Sequence, residues 1–194
     1  MMKKLVICMM TGLLLTAMPM SAQKKSVKVP HDAVLVDQTD TKELYTWENR
    51  AATTERPAIV SVWVRDKKNK SDHCLLMSNP SAETKWSQLG QDQRVAITYS
   101  DVVAIDKACF LRGSDLVYIE GCADARNVCS YIYDDNKQTG WQLMANEGLL
   151  YIDAEKKQIH LSSYKYYPEG GRYSVERIFG YDGTFVKEIP IGQH

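Results

Sequence analysis

The chain has 194 residues, and its 24 basic residues are balanced by 24 acidic ones. This balance argues against a nucleic-acid-binding protein, which carries a basic excess on one face. The length suits one domain with a single core, and it is short for two domains.

The first 22 residues have the three parts of a secretory signal peptide. Lys3 and Lys4 form a positive start, Leu5 to Met18 form an apolar stretch, and Pro19 to Ala22 supply small residues before a cleavage point. The apolar stretch is too short to span a bilayer as a helix, which takes about 20 residues. We therefore predict a signal peptide over residues 1–22 and a soluble, secreted or periplasmic mature protein. The leader resembles those of Bacteroides-type Gram-negative bacteria, which often end in Ser-Ala-Gln.

After the leader, residues 23–33 are polar and basic and predict a flexible arm. Residues 34–194 are predicted to form a single, mostly β domain. Val34 to Val36 are expected to form a short strand. Asp40 to Ala52 predict a helix, with Asp40 as its N-cap, although the alternation along this stretch also permits a strand.

From Pro57 onward the chain is rich in β-branched and aromatic residues, which favours strands separated by polar turns. Asn79 to Gly90 is the exception, because Asn-Pro is a suitable helix start and glycine a suitable end. The fold class is thus mainly β, with antiparallel hairpins and one or two short helices. The strands are predicted at residues 58–64, 73–77, 94–99, 102–111 and 116–120.

Three hairpins form a faint repeat, which begins at Ser61, Ser130 and Ser174. Each is a strand, a polar turn and a strand, and the 44-residue step between the second and third suits one blade of a β-propeller. The later units, especially Ile178 to Ile189, resemble blades of the propellers in secreted Bacteroides-type proteins. The resemblance implies a propeller-like array; a sandwich or a partly open barrel explains the same hairpins.

Four cysteines follow the leader. An even number in an exported chain favours disulfides. Cys122 and Cys129 could face each other across the neck of a hairpin, and Cys74 would then pair with Cys109. Free, buried thiols are the alternative.

No motif in the sequence assembles a catalytic or metal site. In the Asp72-His73-Cys74 trio, the histidine and the thiol would point to opposite faces of a strand. Residues 134–140 alternate like a calcium loop, but the glycine and the last ligand are misplaced, and a polar hairpin turn explains them. We expect a protein that is not an enzyme, with no catalytic residues, no metal and no cofactor.

Aromatic residues supply a better indication of function, because 12 of the 18 lie between Tyr118 and Phe185. Tyrosine suits binding surfaces and also ordinary packing within a sheet. We predict a non-catalytic binding module whose ligand is a glycan, an envelope component or a protein, with no nucleic acid and no membrane span. The predicted ligand-binding residues are Trp141, Tyr164, Tyr166, Tyr167 and Tyr173.

Two other functions stay open from the sequence. A periplasmic inhibitor of a hydrolase such as lysozyme could use Gly170 to Tyr173 as a protruding loop, an analogy from size and compartment. A hydrolase with a dispersed site could use His160 with an acid from another hairpin. The sequence does not determine the oligomeric state.

Overall fold

The computed structural model describes residues 28–48, 59–78, 102–122, 128–137, 139–143 and 147–192. These residues form twelve β-strands and no helix. The strands, in chain order, are β1 Val34–Gln38, β2 Lys42–Glu48, β3 Val60–Asp66, β4 Asp72–Met77, β5 Ala104–Phe110, β6 Leu116–Cys122, β7 Val128–Asp134, β8 Thr139–Leu143, β9 Leu149–Asp153, β10 Gln158–Tyr166, β11 Arg172–Gly180 and β12 Phe185–Pro190.

The strands make three four-stranded antiparallel sheets, each a meander of consecutive strands. Sheet 1 holds β1 to β4, sheet 2 holds β5 to β8 and sheet 3 holds β9 to β12. The prediction of a mainly β, propeller-like array is confirmed, and the array is open. The three hairpins of the sequence repeat are the third and fourth strands of the three sheets.

Sheet 2 lies between the other two sheets, and an apolar cluster fills each junction. Strand alternation divides its side chains, so that Val117, Ile119, Tyr131 and Tyr133 pack toward sheet 1. The residues on its opposite face pack against Ile159, Leu161 and Phe179 of sheet 3; they are Tyr118, Ile132, Trp141 and Leu143. The core is therefore two layers of side chains on either side of one sheet.

Carboxylates reinforce both junctions. Asp135 of the β7–β8 turn accepts a hydrogen bond from Lys42 Nζ of sheet 1 at 2.8 Å. Between sheets 2 and 3, the buried Glu120 accepts a hydrogen bond from the Leu149 backbone N–H at 2.6 Å. Buried charges need such partners to offset the loss of their hydration.

The helix predicted over Asp40 to Ala52 is wrong for its described part, because residues 42–48 form β2. Leu44 is fully buried on the side of sheet 1 that meets sheet 2, and Tyr45 and Trp47 lie on the other side. Pairing with β1 and β3 decides the conformation, overriding a suitable N-cap. The helix predicted at 79–90 and the strand at 94–99 lie outside the described residues, as does the signal peptide.

The predicted disulfides are also wrong, because none of these four cysteines is joined to another by a disulfide. In the β6–β7 pairing Cys129 lies opposite Gly121, and Cys122 lies opposite Val128. The two cysteines are therefore one residue out of register, so their side chains point to opposite faces. Cys74 lies in sheet 1, while Cys109 packs between sheets 2 and 3.

The boundary between the predicted arm and the domain stays a prediction. Where the arm is described, its Val29 N–H donates to Asp72 at 2.8 Å, and Trp47 Nε1 donates to Asp32 at the same distance. Both bonds connect it to sheet 1.

Candidate functional site

The candidate site lies on the face of sheet 3 that points away from sheet 2, which we call the outer face. Sheet 2 presents four apolar or aromatic side chains to sheet 3. On the outer face of sheet 3, in contrast, the central strands present mostly polar side chains. On β10 and β11 they are His160, Ser162, Tyr164, Tyr166, Arg172, Ser174, Glu176 and Ile178, which share one face because they lie opposite one another in the pairing.

The first part of the outer face is a histidine held by an acid. His160 Nδ1 lies 2.6 Å from Glu176 Oε1. The ring of Tyr151, on the neighbouring strand β9, stacks on the imidazole with 4.0 Å between centroids. His160 is only 4% exposed, and no residue of the described chain hydrogen-bonds its buried Nε2. The ring is thus fixed in one orientation.

A second polar pair lies beside it. Ser162 Oγ donates to Glu147 Oε2 at 2.5 Å, and the serine lies directly opposite Glu176 in the β10–β11 pairing. The serine proton is therefore directed at a carboxylate rather than at His160. A nucleophilic serine needs its base within hydrogen-bond reach. Ser162 is therefore not placed as a nucleophile activated by His160, whereas Glu176 is an acid paired with His160, as the hydrolase hypothesis expects.

The third part, which we call the tyrosine–arginine group, consists of Tyr164, Tyr166 and Arg172. The rings of Tyr164 and Tyr166 meet edge to face with 5.5 Å between centroids. The Arg172 guanidinium carbon lies 5.0 Å from the centre of the Tyr164 ring, within the range of a cation–π contact. Tyr166 is 70% exposed, the highest value among the exposed large apolar and aromatic residues of the described chain.

The tyrosine–arginine group stands on a hairpin that projects beyond its sheet. β9 pairs with β10 as far as Leu161, and β12 pairs with β11 from Val175 onward. Among the described residues, the part of β10 after Ser162 and the part of β11 before Ser174 pair only with each other. Gly170 and Gly171 close the turn with φ values of 99° and 85°, which favour glycine.

The predicted ligand-binding residues do not form one patch. Tyr164 and Tyr166 lie together on the outer face. Tyr173 lies on the opposite face of the hairpin, where its ring packs against that of Tyr167 with 4.7 Å between centroids. Trp141 is 6% exposed and belongs to the cluster between sheets 2 and 3. The sequence reasoning missed His160, Glu176 and Arg172 as neighbours of the tyrosines, although a period-two pattern along β10 relates His160 to Tyr164.

A cavity of about 230 Å³ lies elsewhere, at the end of sheet 1 near β5. Its described lining includes two carboxylates and one indole, from Asp32, Glu48 and Trp47, and no histidine. In the described residues, no group of three histidine, cysteine or acidic side chains is arranged to hold a metal ion. The Asp134 carboxylate, in the stretch that alternates like a calcium loop, accepts a hydrogen bond from the Lys137 N–H, which closes the turn.

The thiols of Cys74 and Cys122 are poorly suited to nucleophilic chemistry. Burial raises the pKa of Cys74 to about 12, and a hydrogen bond to Asp106 raises that of Cys122 to about 11. Since the thiolate is the reactive form, both are almost entirely in the unreactive form at neutral pH.

Comparisons with known proteins bear on the fold alone. No family model matches the sequence, and no curated protein matches it. Among solved structures, the chain is similar to the β-propeller domain of the Trilobed protease from Pyrococcus furiosus, described as having an open velcro topology. The TM-score is 0.51 at 8% identity, over 83% of this chain and 44% of that one. The chain thus spans less than half of that structure's length. No helix among the described residues is long and apolar enough to cross a membrane.

Proposed function

We propose that the protein is a non-catalytic binding module that recognises a saccharide through the outer face of sheet 3. The observation that carries the proposal is the tyrosine–arginine group, in which the exposed Tyr166 ring contacts the half-buried Tyr164 on a projecting hairpin. A tyrosine offers a flat apolar ring and a hydroxyl on one rigid side chain. Such a surface can stack against a sugar ring with little loss of side-chain entropy.

The polar residues beside the group favour a saccharide over a protein ligand. Ser162, Glu176 and Glu147 are half-buried on the same face or at its edge. They offer hydroxyl and carboxylate oxygens to a ligand rich in hydroxyl groups. Protein-binding patches, in contrast, are depleted of charged residues at their centres. Trp141 is left out of the proposed site because it is buried.

A glycan array followed by calorimetry tests the proposal, with Tyr166→Ala as the diagnostic variant. Tyr173→Ala is the matched control, since it removes the same side chain from the opposite face of the same hairpin. We expect Tyr166→Ala to weaken binding about tenfold or more, because aromatic anchors dominate such sites, and Tyr173→Ala to change it little. Equal losses in both variants, or none in Tyr166→Ala, would reject this site.

A second candidate function is inhibition of a hydrolase such as lysozyme. The hairpin beyond Ser162 favours it, because a two-stranded projection with a glycine turn can enter a cleft. Titration of lysozyme with the protein tests this function. Undiminished lysozyme activity at a large molar excess would exclude it for that enzyme.

Export remains part of the proposal and rests on residues 1–22. Processing between Ala22 and Gln23 would give a mature chain that begins at Gln23. Cell fractionation with N-terminal sequencing tests this, and a cytoplasmic protein that retains Met1 would contradict it.

A further inference from the structure

The geometry points to an acidic saccharide as the ligand, with its carboxylate bound by Arg172. This inference rests on the proposed function and names the ligand class for the same surface. It depends on a difference in ion pairing between Arg172 and the other arginines of the described residues.

Of the four arginines that the structure describes, Arg172 is the one that makes no ion pair. The other three each donate to a carboxylate: Arg65 to Asp72 at 2.7 Å, Arg112 to Asp37 at 3.0 Å and Arg177 to Glu188 at 2.9 Å. Arg172 is exposed, and the contact recorded for its guanidinium is the ring of Tyr164. Its positive charge is therefore without a carboxylate partner in the described residues.

Tyr164 prepares this cation for a ligand. A guanidinium against a ring keeps its N–H donors available at its edges, where they match the two oxygens of a carboxylate. Holding the side chain in place beforehand reduces the entropy lost on binding. Among the four arginines, Arg172 thus combines exposure, orientation and free donors.

Glu169, in the turn of the hairpin, makes no ion pair with Arg172, and three other acids of this sheet and its edge are engaged by other residues. Glu176 is bound to His160, and Glu147 accepts from Ser162. Glu188 is engaged by Lys165 and Arg177. These contacts leave the hairpin end of the outer face with one unpaired cation beside the exposed ring of Tyr166, which lies directly opposite Arg172 in the pairing.

The ligand class follows from this juxtaposition. A sugar ring on Tyr166 would bring a carboxylate carried by that ring, or by the next one, to Arg172. A neutral sugar would leave the guanidinium without an anion. Uronic-acid and sialic-acid oligomers have the required chemistry, and their carboxyl-reduced forms differ from them only at the charged group.

Calorimetry on the whole protein tests the inference, with oligogalacturonate, hyaluronan and oligosialic acid as probes, each beside its carboxyl-reduced form. We expect at least one acidic oligomer to bind about tenfold or more tightly than its reduced form, as for a charge-assisted hydrogen bond. Arg172→Gln should abolish that preference, and Arg172→Lys should retain part of it. Lys137→Gln, which removes an exposed cation from sheet 2, is the matched control and should keep the preference.

Each outcome distinguishes the inference from the proposed function. Equal binding of acidic and reduced oligomers, an unchanged preference in Arg172→Gln, or no binding of any acidic probe overturns the inference. If Tyr166→Ala still abolishes binding of a neutral glycan in those cases, the saccharide module stands. If binding is independent of Tyr166 altogether, the proposed function fails as well.

Discussion

Trp141 lies directly over Gly183, and the two residues fit only because the glycine has no side chain. A Cβ built on Gly183 would lie 1.8 Å from the indole Nε1. The glycine also has a φ of +81°, which L side chains rarely adopt. The turn between β11 and β12 thereby presses against the core between sheets 2 and 3.

Gly183→Ala should therefore destabilise the protein strongly. Gly113→Ala is the matched control, because Gly113 has a similar φ of +75° with open space around its Cβ position. We expect about 1–2 kcal/mol for the control from backbone strain, and about 1–3 kcal/mol more for Gly183→Ala from the clash. Urea unfolding measures both. Equal losses in the two variants would show that the indole moves aside freely.

Asp135→Ala should weaken the junction between sheets 1 and 2. It would leave Lys42 Nζ, on a side chain that is only 12% exposed, without its carboxylate. We expect a loss of about 3 kcal/mol, since breaking a buried ion pair leaves an uncompensated charge.

The neighbouring Asp134→Ala supplies the control for that measurement. Its partner Lys137 is 62% exposed, so the ion pair should contribute at most about 1 kcal/mol, and the lost hydrogen bond from the Lys137 N–H should add about 1 kcal/mol. Chemical denaturation of both variants compares them. A smaller loss for Asp135→Ala than for Asp134→Ala would contradict the assignment of a buried pair.

Stability should depend on pH through Asp72. Hydrogen bonds from Arg65 lower the pKa of this carboxyl below 3.8. A pKa lowered by folding stabilises the protein above the unfolded pKa, and this stabilisation is lost as the pH falls through the folded value. We expect Asp72→Asn to cost about 1.5–3 kcal/mol at neutral pH, the range for hydrogen bonds to charged groups.

The difference between wild type and Asp72→Asn should remain constant from pH 7 to about 5 and shrink below about pH 4. Unfolding curves across this range measure it. A difference that is independent of pH down to about 2 would show that Asp72 acts through something other than its charge.

Free thiols should be detected after unfolding without a reductant. In the structure, none of the four cysteines after the leader, Cys74, Cys109, Cys122 and Cys129, is joined to another of them by a disulfide. Each should react with a thiol reagent in denaturant, and adding a reductant should leave the melting temperature unchanged. The stabilities of Cys129→Ser and Cys122→Ser test the register in which β6 pairs with β7. A fall in stability of about 2–4 kcal/mol in both variants, as on loss of a disulfide, would contradict the pairing of β6 and β7.

The strands were predictable because their signal is local. Branched and aromatic residues between polar turns predict β3 and β4. The repeat predicts the hairpin made by the third and fourth strands of every sheet. β2 was assigned to a helix because the sequence around Asp40 has a good cap, whereas the deciding contacts come from β1, β3 and sheet 2. The prediction of a strand at Val34 to Val36 falls within β1 and is confirmed.

The site and the cysteines show what local patterns omit. The six residues between Cys122 and Cys129 suit a hairpin neck, but a one-residue change of register puts the two thiols on opposite faces. Alternation along β10 correctly placed Tyr164 and Tyr166 on one face. It gave no account of Arg172, because that contact depends on how β10 pairs with β11. Trp141 looks like a binding residue in sequence and is a core residue in space.

The order of strands within the three sheets also has a consequence for how the chain folds. Within each sheet, every pair of neighbouring strands is also consecutive in the chain, so the contacts within a sheet close short loops. Short loops cost little entropy to close. During synthesis, sheet 1 can complete its pairing before sheet 3 has left the ribosome. Sheet 3, which carries the exposed Tyr166, follows sheet 2 in the chain, so this surface can form against a sheet that has already paired.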